Sequence, residues 1–212
     1  MKVQLLQPRN LEEGLYAEDV AIFAARRCRT TKTFEELQIE IVGYSSEKRR
    51  QFLSKVIYQD FAADVMEMVH LVYDWEGIPM WLLVELFRHR LIMREFSFEQ
   101  LSQRAIDSGK LEVDVDEGLE LTVADYLVKL NQRAKYLKLS PEQLRAAYPQ
   151  GVLVNLVIGG NLRAFHHFFF MRSSPLYNGK GGAHPRFMEL ADKMQELAKE
   201  RLPNLMEQIV EA

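Results

Sequence analysis

The sequence predicts a helix-dominated α+β domain with a minority of strand, on three observations. Apolar residues recur at helical spacing behind good capping residues. Only short stretches carry the Val, Tyr and Trp content or the strict alternation of strands. A chain of 212 residues that is 48% hydrophobic and 27% charged has the balance of a folded globular protein. No internal repeat, low-complexity segment or linker divides it, so residues 1–212 are expected to form one domain.

The elements follow in order. Residues 11–28 read as a helix with Leu15, Val20, Ile22, Phe23 and Ala25 on its apolar stripe. Arg26, Arg27 and Arg29 sit at its end, where cations oppose the negative terminus. Thr33 can cap a second helix, with Glu35 and Glu36 in its first turn, and Ser45 or Ser46 a third. Residues 66–75 suit a strand. Gly77-Ile78-Pro79 is expected to break the chain before a helix from Met80 to about Phe87. Ser97, with Gln100 three residues on, has the form of a capping box. Residues 111–121 set Glu112, Asp114 and Asp116 against Leu111, Val113 and Val115, as a half-exposed strand or an acidic loop does. Thr122 is expected to cap a helix over 123–137, and Ser140-Pro141-Glu142 to open another, separated by Gly159-Gly160 from a helix over 161–172. A glycine-rich loop over 173–185, an amphipathic helix over 187–201 and a short helix after Pro203 close the chain.

Composition excludes several functions. Lys and Arg number 27 against 30 Asp and Glu, a net charge of −3, which argues against a nucleic-acid partner. The single cysteine, Cys28, forms neither an intrachain disulfide nor a Cys-rich zinc site, and a reducing cytoplasm is the expected compartment. The opening MKVQLLQPRNLEEG lacks the apolar core of a signal peptide, and the longest apolar runs, 152–158 and 168–171, fall short of the roughly 20 residues that span a bilayer, so no membrane partner is expected. The G-x-G-x-x-G, G-x-x-x-x-G-K-[ST] and G-x-S-x-G motifs are absent, and no metal site is read.

Charge stands out in three places. Arg88-His89-Arg90 ends an apolar run, as an anion site or as a cationic helix end. Residues 97–104 offer Ser102 and Arg104 to a phosphate, or simply begin a helix. In a helix over 161–172, Asn161, Phe165, Phe168 and Arg172 lie near one face and Arg163, His167 and Phe170 near another. Arg172 thus shares a face with large apolar groups and needs an acceptor. Adjacent His166 and His167 diverge on a helix and do not make a zinc site. Arg145 is a fourth, isolated candidate.

These residues together resemble the flavin-dependent thymidylate synthases. The shared features are Arg88-His89-Arg90, the stretch Ser97 to Arg104, which looks like the family's S-x-x-x-S-x-R pattern with one residue more between its serines, Asn161 with Arg163, the ending Met171-Arg172, Arg145 ahead of Asn161, and Ala24-Ala25-Arg26 near the start. Departures are visible too. Eleven residues, not seven, separate Arg90 from Ser102; Glu85 stands where Gln is usual, Gln100 where Glu is common and Ala105 where Tyr is common. Of the family's H-x-x-x-x-E-H motif only Glu67 has a counterpart.

The resemblance implies a helix-rich α+β domain with a small antiparallel sheet. It implies reductive methylation of dUMP to dTMP with FAD, NADPH and methylenetetrahydrofolate, in a homotetramer with active sites between subunits. By matching position, Arg88, His89, Arg90, Asn161 and Arg163, with His167 on the same helix, would serve FAD. Ser102, Arg104 and Arg145 would take the dUMP phosphate, with Glu85 and Gln100 nearby. Arg172 would face the uracil ring, and it and Ser102 would be the catalytic pair. Two alternatives stay open: a diverged flavin- or pyrimidine-nucleotide-binding relative without synthase activity, and a helical interaction protein.

Overall fold

The protein's structure, a computed structural model, describes residues 1–7, 16–92, 95–98, 113–114, 118–177 and 179–210. Gln100, Ser102 and Arg104 lie outside these residues, as do 11–15 of the first expected helix and 111–112 and 115–117 of the acidic stretch. The described part is helix-rich with one small antiparallel sheet, the fold class expected.

Several helices begin where a side chain can satisfy the first orphan N–H groups. Helix α1 (Asp19–Arg27) is shorter than the 11–28 reading. Asp19 explains the late start: its carboxylate accepts the Tyr16 N–H at 2.8 Å, which holds residues 16–18 in a turn. Helix α2 (Phe34–Val42) has the full capping box, Thr33 and Glu36 each accepting from the other's backbone. Ser45, rather than Ser46, caps α3 (Ser46–Ser54), which runs on into one π-helical turn, Lys55–Gln59. A 3₁₀ segment, Ala63–Met68, leads into the sheet.

The sheet has strands in the order β1-β2-β4-β3. Strand β1 (Lys2–Gln7) was not anticipated, although Val3 and Leu5 alternate with more exposed neighbours. Strand β2 (His70–Pro79) does not stop at Gly77; that glycine adopts φ +66 and donates its N–H to Asn155 Oδ1 at 3.1 Å. Helix α4 (Met80–Leu86) then starts directly at the strand's end, with Pro79 as its N-cap. Strand β3 (Glu95–Phe98) places Ser97 in extended backbone and not at a helix start. Helix α5 (Glu120–Leu137) begins before Thr122, which is therefore inside it and not its cap. Helix α6 (Pro141–Arg145) has the Ser140–Gln143 capping box but lasts only five residues.

The largest difference is β4 (Leu153–Asn161), where a helix was expected to end at Gly159-Gly160. The apolar run 152–158 belongs to an inner strand, flanked by β2 and β3, in which buried Val154, Leu156 and Ile158 alternate with half-buried Leu153 and Val157 and exposed Asn155; the extra apolar residues on the second face hide this period of two in the sequence. Both glycines are strand residues. A Cβ on Gly159 would sit 3.3 Å from His70 Cε1 and from Glu95 Oε2, so its absence gives these side chains room above β4. Helices α7 (Leu162–Arg172), α8 (Pro185–Arg201) and α9 (Pro203–Val210) follow, close to their expected bounds.

The chain falls into two compact units. One comprises Met1–Lys2, Trp75–Arg88 and Phe96–Val157. Within it, Leu82, Leu83 and Leu86 of α4 are buried with Ile78 and Val152, and Tyr126 donates its hydroxyl to the Ala147 carbonyl at 2.6 Å. The other comprises Val3–Asp74, His89–Glu95 and Ile158–Ala212. Its core is aromatic: Phe165, Phe168 and Phe169 of α7 pack with Tyr73 and Phe187. Burial pushes the Tyr73 phenol well above its ordinary range, and its hydroxyl donates to the Met194 carbonyl at 3.0 Å. Glu18, fully buried, accepts the N–H groups of Asn204 and Leu205 at 3.0 Å each and so caps α9.

Glu40 of α2 collects three donors: Lys32 at 2.7 Å, Tyr44 at 2.6 Å and Arg26 at 3.0 Å. The Lys32 bond, then the Tyr44 and Arg26 bonds, hold its carboxyl down at about 2, against 4.5 without them. The folded pKa is the lower one, so this contribution is complete above about pH 4.5 and is lost as pH falls towards 2. Glu40→Gln is expected to lower the urea midpoint at pH 6 and to narrow its gap from wild type at pH 3. An equal gap at both pH values contradicts the assignment.

Candidate active site

Six predicted site residues belong to the second unit: His89, Arg90, Asn161, Arg163, His167 and Arg172. Helix α7 positions four of them. Asn161 is its N-cap, accepting the Ala164 N–H at 2.9 Å, and the start of the helix is tied to the sheet by Leu162 N–H donating to the Val69 carbonyl at 2.8 Å. The helix faces divide as the sequence spacing requires. Phe165, Phe168 and Phe169 are buried, while Arg163, His167 and Phe170 are exposed. His166 is half-buried, and burial, with the neighbouring His167 second, lowers its imidazole pKa.

Arg172, the last residue of α7, is half-buried on the aromatic side. Its Nε donates to His89 Nε2 at 2.7 Å, joining two sequence clusters 83 residues apart. Its guanidinium lies 4.9 Å from the Phe187 ring centroid. The His89 imidazole is thus one acceptor for Arg172, the kind of partner it was expected to need. His89 in turn meets Phe168 edge-on at 5.1 Å and Phe187 at 6.4 Å.

Arg163 projects from the first turn of α7 and pairs with Glu67 at 2.7 Å; both side chains are about half exposed. Glu67, the single counterpart of the missing histidine motif, therefore serves a guanidinium at this site. Beside it, His70 opens β2 and pairs with Glu95 of β3 at 2.7 Å, above Gly159. Sequence reading missed this pair. The available signal was that His70 begins an alternation with buried Leu71 and Tyr73, which puts it on the half-exposed face. Arg90 is exposed.

Glu85, Arg88 and Arg145 belong to the first unit. Glu85 on α4 faces Arg88 at 3.4 Å, and Arg88 is largely exposed just beyond the helix end. Arg145 ends α6, half-buried. Among the described residues no group of three or more His, Cys, Asp or Glu side chains can hold a metal ion, and no helix is long and apolar enough to cross a membrane. Cys28 is exposed, with a free thiol.

Chemically, the second unit thus offers a fixed guanidinium against aromatic rings and a second guanidinium at a helix N-terminus beside an amide. Such groups suit a planar ring with carbonyl oxygens and an anionic ligand.

Known proteins share this fold. The model of the family described as thymidylate synthase complementing protein matches residues 11–204. A flavin-dependent thymidylate synthase of Mycobacterium marinum is 31% identical over 134 residues, which is 52% of this chain and 52% of that protein; the match spans about half of the relative. One from Haloarcula marismortui is 22% identical over 98% of this chain and 94% of its own length. Among solved structures, thymidylate synthase X of Helicobacter pylori, crystallised with FAD and dUMP, superposes with a TM-score of 0.70 at 16% identity, each chain covered completely. A UMP/dUMP methylase, PolB from Streptomyces cacaoi, bound with 5-Br UMP, gives 0.67 at 17% identity, covering 99% of this chain and 93% of that one. These structures share the fold. With its family model matched over nearly the whole length, the chain belongs to the thymidylate synthase complementing protein family, that of the flavin-dependent thymidylate synthases.

Proposed function

We propose that this chain catalyses the reductive methylation of dUMP to dTMP, with FAD as cofactor, NADPH as reductant and methylenetetrahydrofolate as one-carbon donor. The observation that carries the reading is Arg172, a cation fixed by His89 against Phe187. The family match supports the reaction class, and the relatives solved with FAD and dUMP support the ligands.

The donor set fits a flavin dinucleotide. Arg163 and Asn161 at the start of α7 match its phosphate and carbonyl oxygens, with Arg88, His89, Arg90 and His167 as further contacts. Bound FAD would supply the redox chemistry. The chain's own groups bind and orient. Arg172 faces the uracil ring and stabilises negative charge developing on a carbonyl oxygen. Arg145, Ser102 and Arg104 hold the phosphate, with Glu85 and Gln100 nearby and Ser102 the second catalytic residue. Phe165, Phe168 and Phe169 of α7 and Phe187, all buried, exclude water from the Arg172 side. Residues 1–212 act as one domain, which the family match over residues 11–204 supports, in a cytoplasmic homotetramer. Exposed Phe34, Ile39 and Val42, all on α2, support self-association.

Purified protein is expected to be yellow, to release FAD on denaturation and to form dTMP from dUMP when NADPH and methylenetetrahydrofolate are supplied. A colourless protein that takes up no added FAD removes the reading. A second reading, nucleotide binding without turnover, is favoured by the carboxylates already paired to two of the cations, Glu85 with Arg88 and Glu67 with Arg163. Bound FAD and dUMP with no dTMP formed would select it.

A further inference from the structure

We propose that His89 is a positioning residue for Arg172: its ring nitrogen fixes the plane in which that guanidinium meets the pyrimidine. The inference rests on the dUMP reading above and assigns a task to a residue that resemblance placed only against the flavin.

An arginine at a helix end has a long stem with many rotamers, and orienting it costs entropy that a binding site must offset. Here three contacts remove that freedom. The Nε–H is bonded to His89 Nε2 at 2.7 Å. The guanidinium lies over Phe187 at 4.9 Å. The same Phe187 ring, with Phe168, flanks the imidazole, so one aromatic side chain braces both partners. The His89 backbone is itself anchored, its carbonyl accepting the Ile92 N–H at 3.2 Å.

The chemistry of the bond defines the state of the ring. A guanidinium keeps its proton at Nε under all ordinary conditions and can only donate there. His89 Nε2 must therefore accept, which requires a neutral imidazole with its hydrogen on Nδ1; an imidazolium donates at both nitrogens and cannot take this bond. With Nε committed to His89, the guanidinium plane and the directions of its two terminal nitrogens follow, and those are the nitrogens that match two acceptors on a flat ring. A planar fork held in advance binds such a ring with less ordering than a free one.

Two measurements on the protein as purified, with the flavin it carries, test this. The first is the ¹⁵N spectrum of the His89 ring near pH 8, where an Nδ1–H tautomer is expected; an Nε2–H tautomer overturns the proposal. The second is the calorimetric dissociation constant for dUMP. His89→Leu, which fills the space without an acceptor, is expected to weaken binding about tenfold, while His89→Gln, whose side-chain oxygen reaches a comparable position, recovers it to within about threefold of wild type. Adding His89→Leu to Arg172→Ala is expected to cost nothing further, because the two residues act as one unit. Additive losses, or unchanged binding in His89→Leu, overturn the proposal while the dUMP reading stands. Wild-type protein that binds no dUMP overturns both. Should the Leu variant not fold, the tautomer and the Gln variant still decide.

Discussion

Arg172→Ala is expected to lower kcat for dTMP formation by about 10²–10³-fold, the usual loss when one donor to a developing oxyanion is removed from a preorganised site. The fold should survive, because Arg172 is the last residue of α7 and the helix is held by Phe165, Phe168 and Phe169, not by its final side chain. The melting temperature should therefore stay within a few degrees of wild type, and the flavin spectrum should persist, since Asn161 and Arg163 stand at the other end of the helix. Lysine at position 172 should not restore the rate: it keeps the charge but has neither the planar fork nor an Nε–H for His89. A variant that turns over within threefold of wild type places the reacting pyrimidine away from α7. That result would leave the family assignment intact and dismiss the site.

Arg49→Met should be the most damaging single change to stability, costing about 3–5 kcal/mol, the range measured when one partner of a buried ion pair is removed. Arg49 is 3% exposed and Asp19 is 2% exposed. The pair is bidentate, with Nε to Oδ1 at 2.8 Å and Nη2 to Oδ2 at 3.1 Å. The remaining donors go to backbone carbonyls of Tyr44 and, at 3.1 Å, of Ile41, and the guanidinium sits 4.7 Å from the Tyr16 ring centroid. One side chain thus ties the start of α1, the end of α2 and α3 together. Methionine keeps much of the volume, so the loss comes from a stranded Asp19 carboxylate and two carbonyls without their donor. Adding Asp19→Asn to Arg49→Met should return part of the loss, because it removes the stranded charge while its amide oxygen can still accept the Tyr16 N–H. Urea denaturation measures all three proteins. A midpoint for Arg49→Met corresponding to less than about 1 kcal/mol would mean that water enters and solvates Asp19.

What the sequence determined by itself is local. Thr33, Ser45 and Ser140 announce helix starts because a cap bonds to a backbone N–H three residues away, well within one stretch of chain. The division of α7 into a buried phenylalanine face and an exposed face with Arg163 and His167 follows from helical spacing alone. The residue clusters carried enough of the family pattern to name it. Where local signals competed with distant partners, they misled. Thr122 and Ser97 have good capping chemistry, yet one lies inside a helix and the other in a strand. The run 152–158 and the two glycines after it are apolar and small for a reason that appears only when β2 and β3 are laid on either side of β4. The tertiary structure alone decided which polar side chains meet. Arg172 finds His89 across 83 positions, Arg163 finds Glu67 across 96, and Asp19 finds Arg49 across 30. A strand's flank or a guanidinium's acceptor is chosen by chain closure over such distances, and no window of sequence contains both ends of that choice.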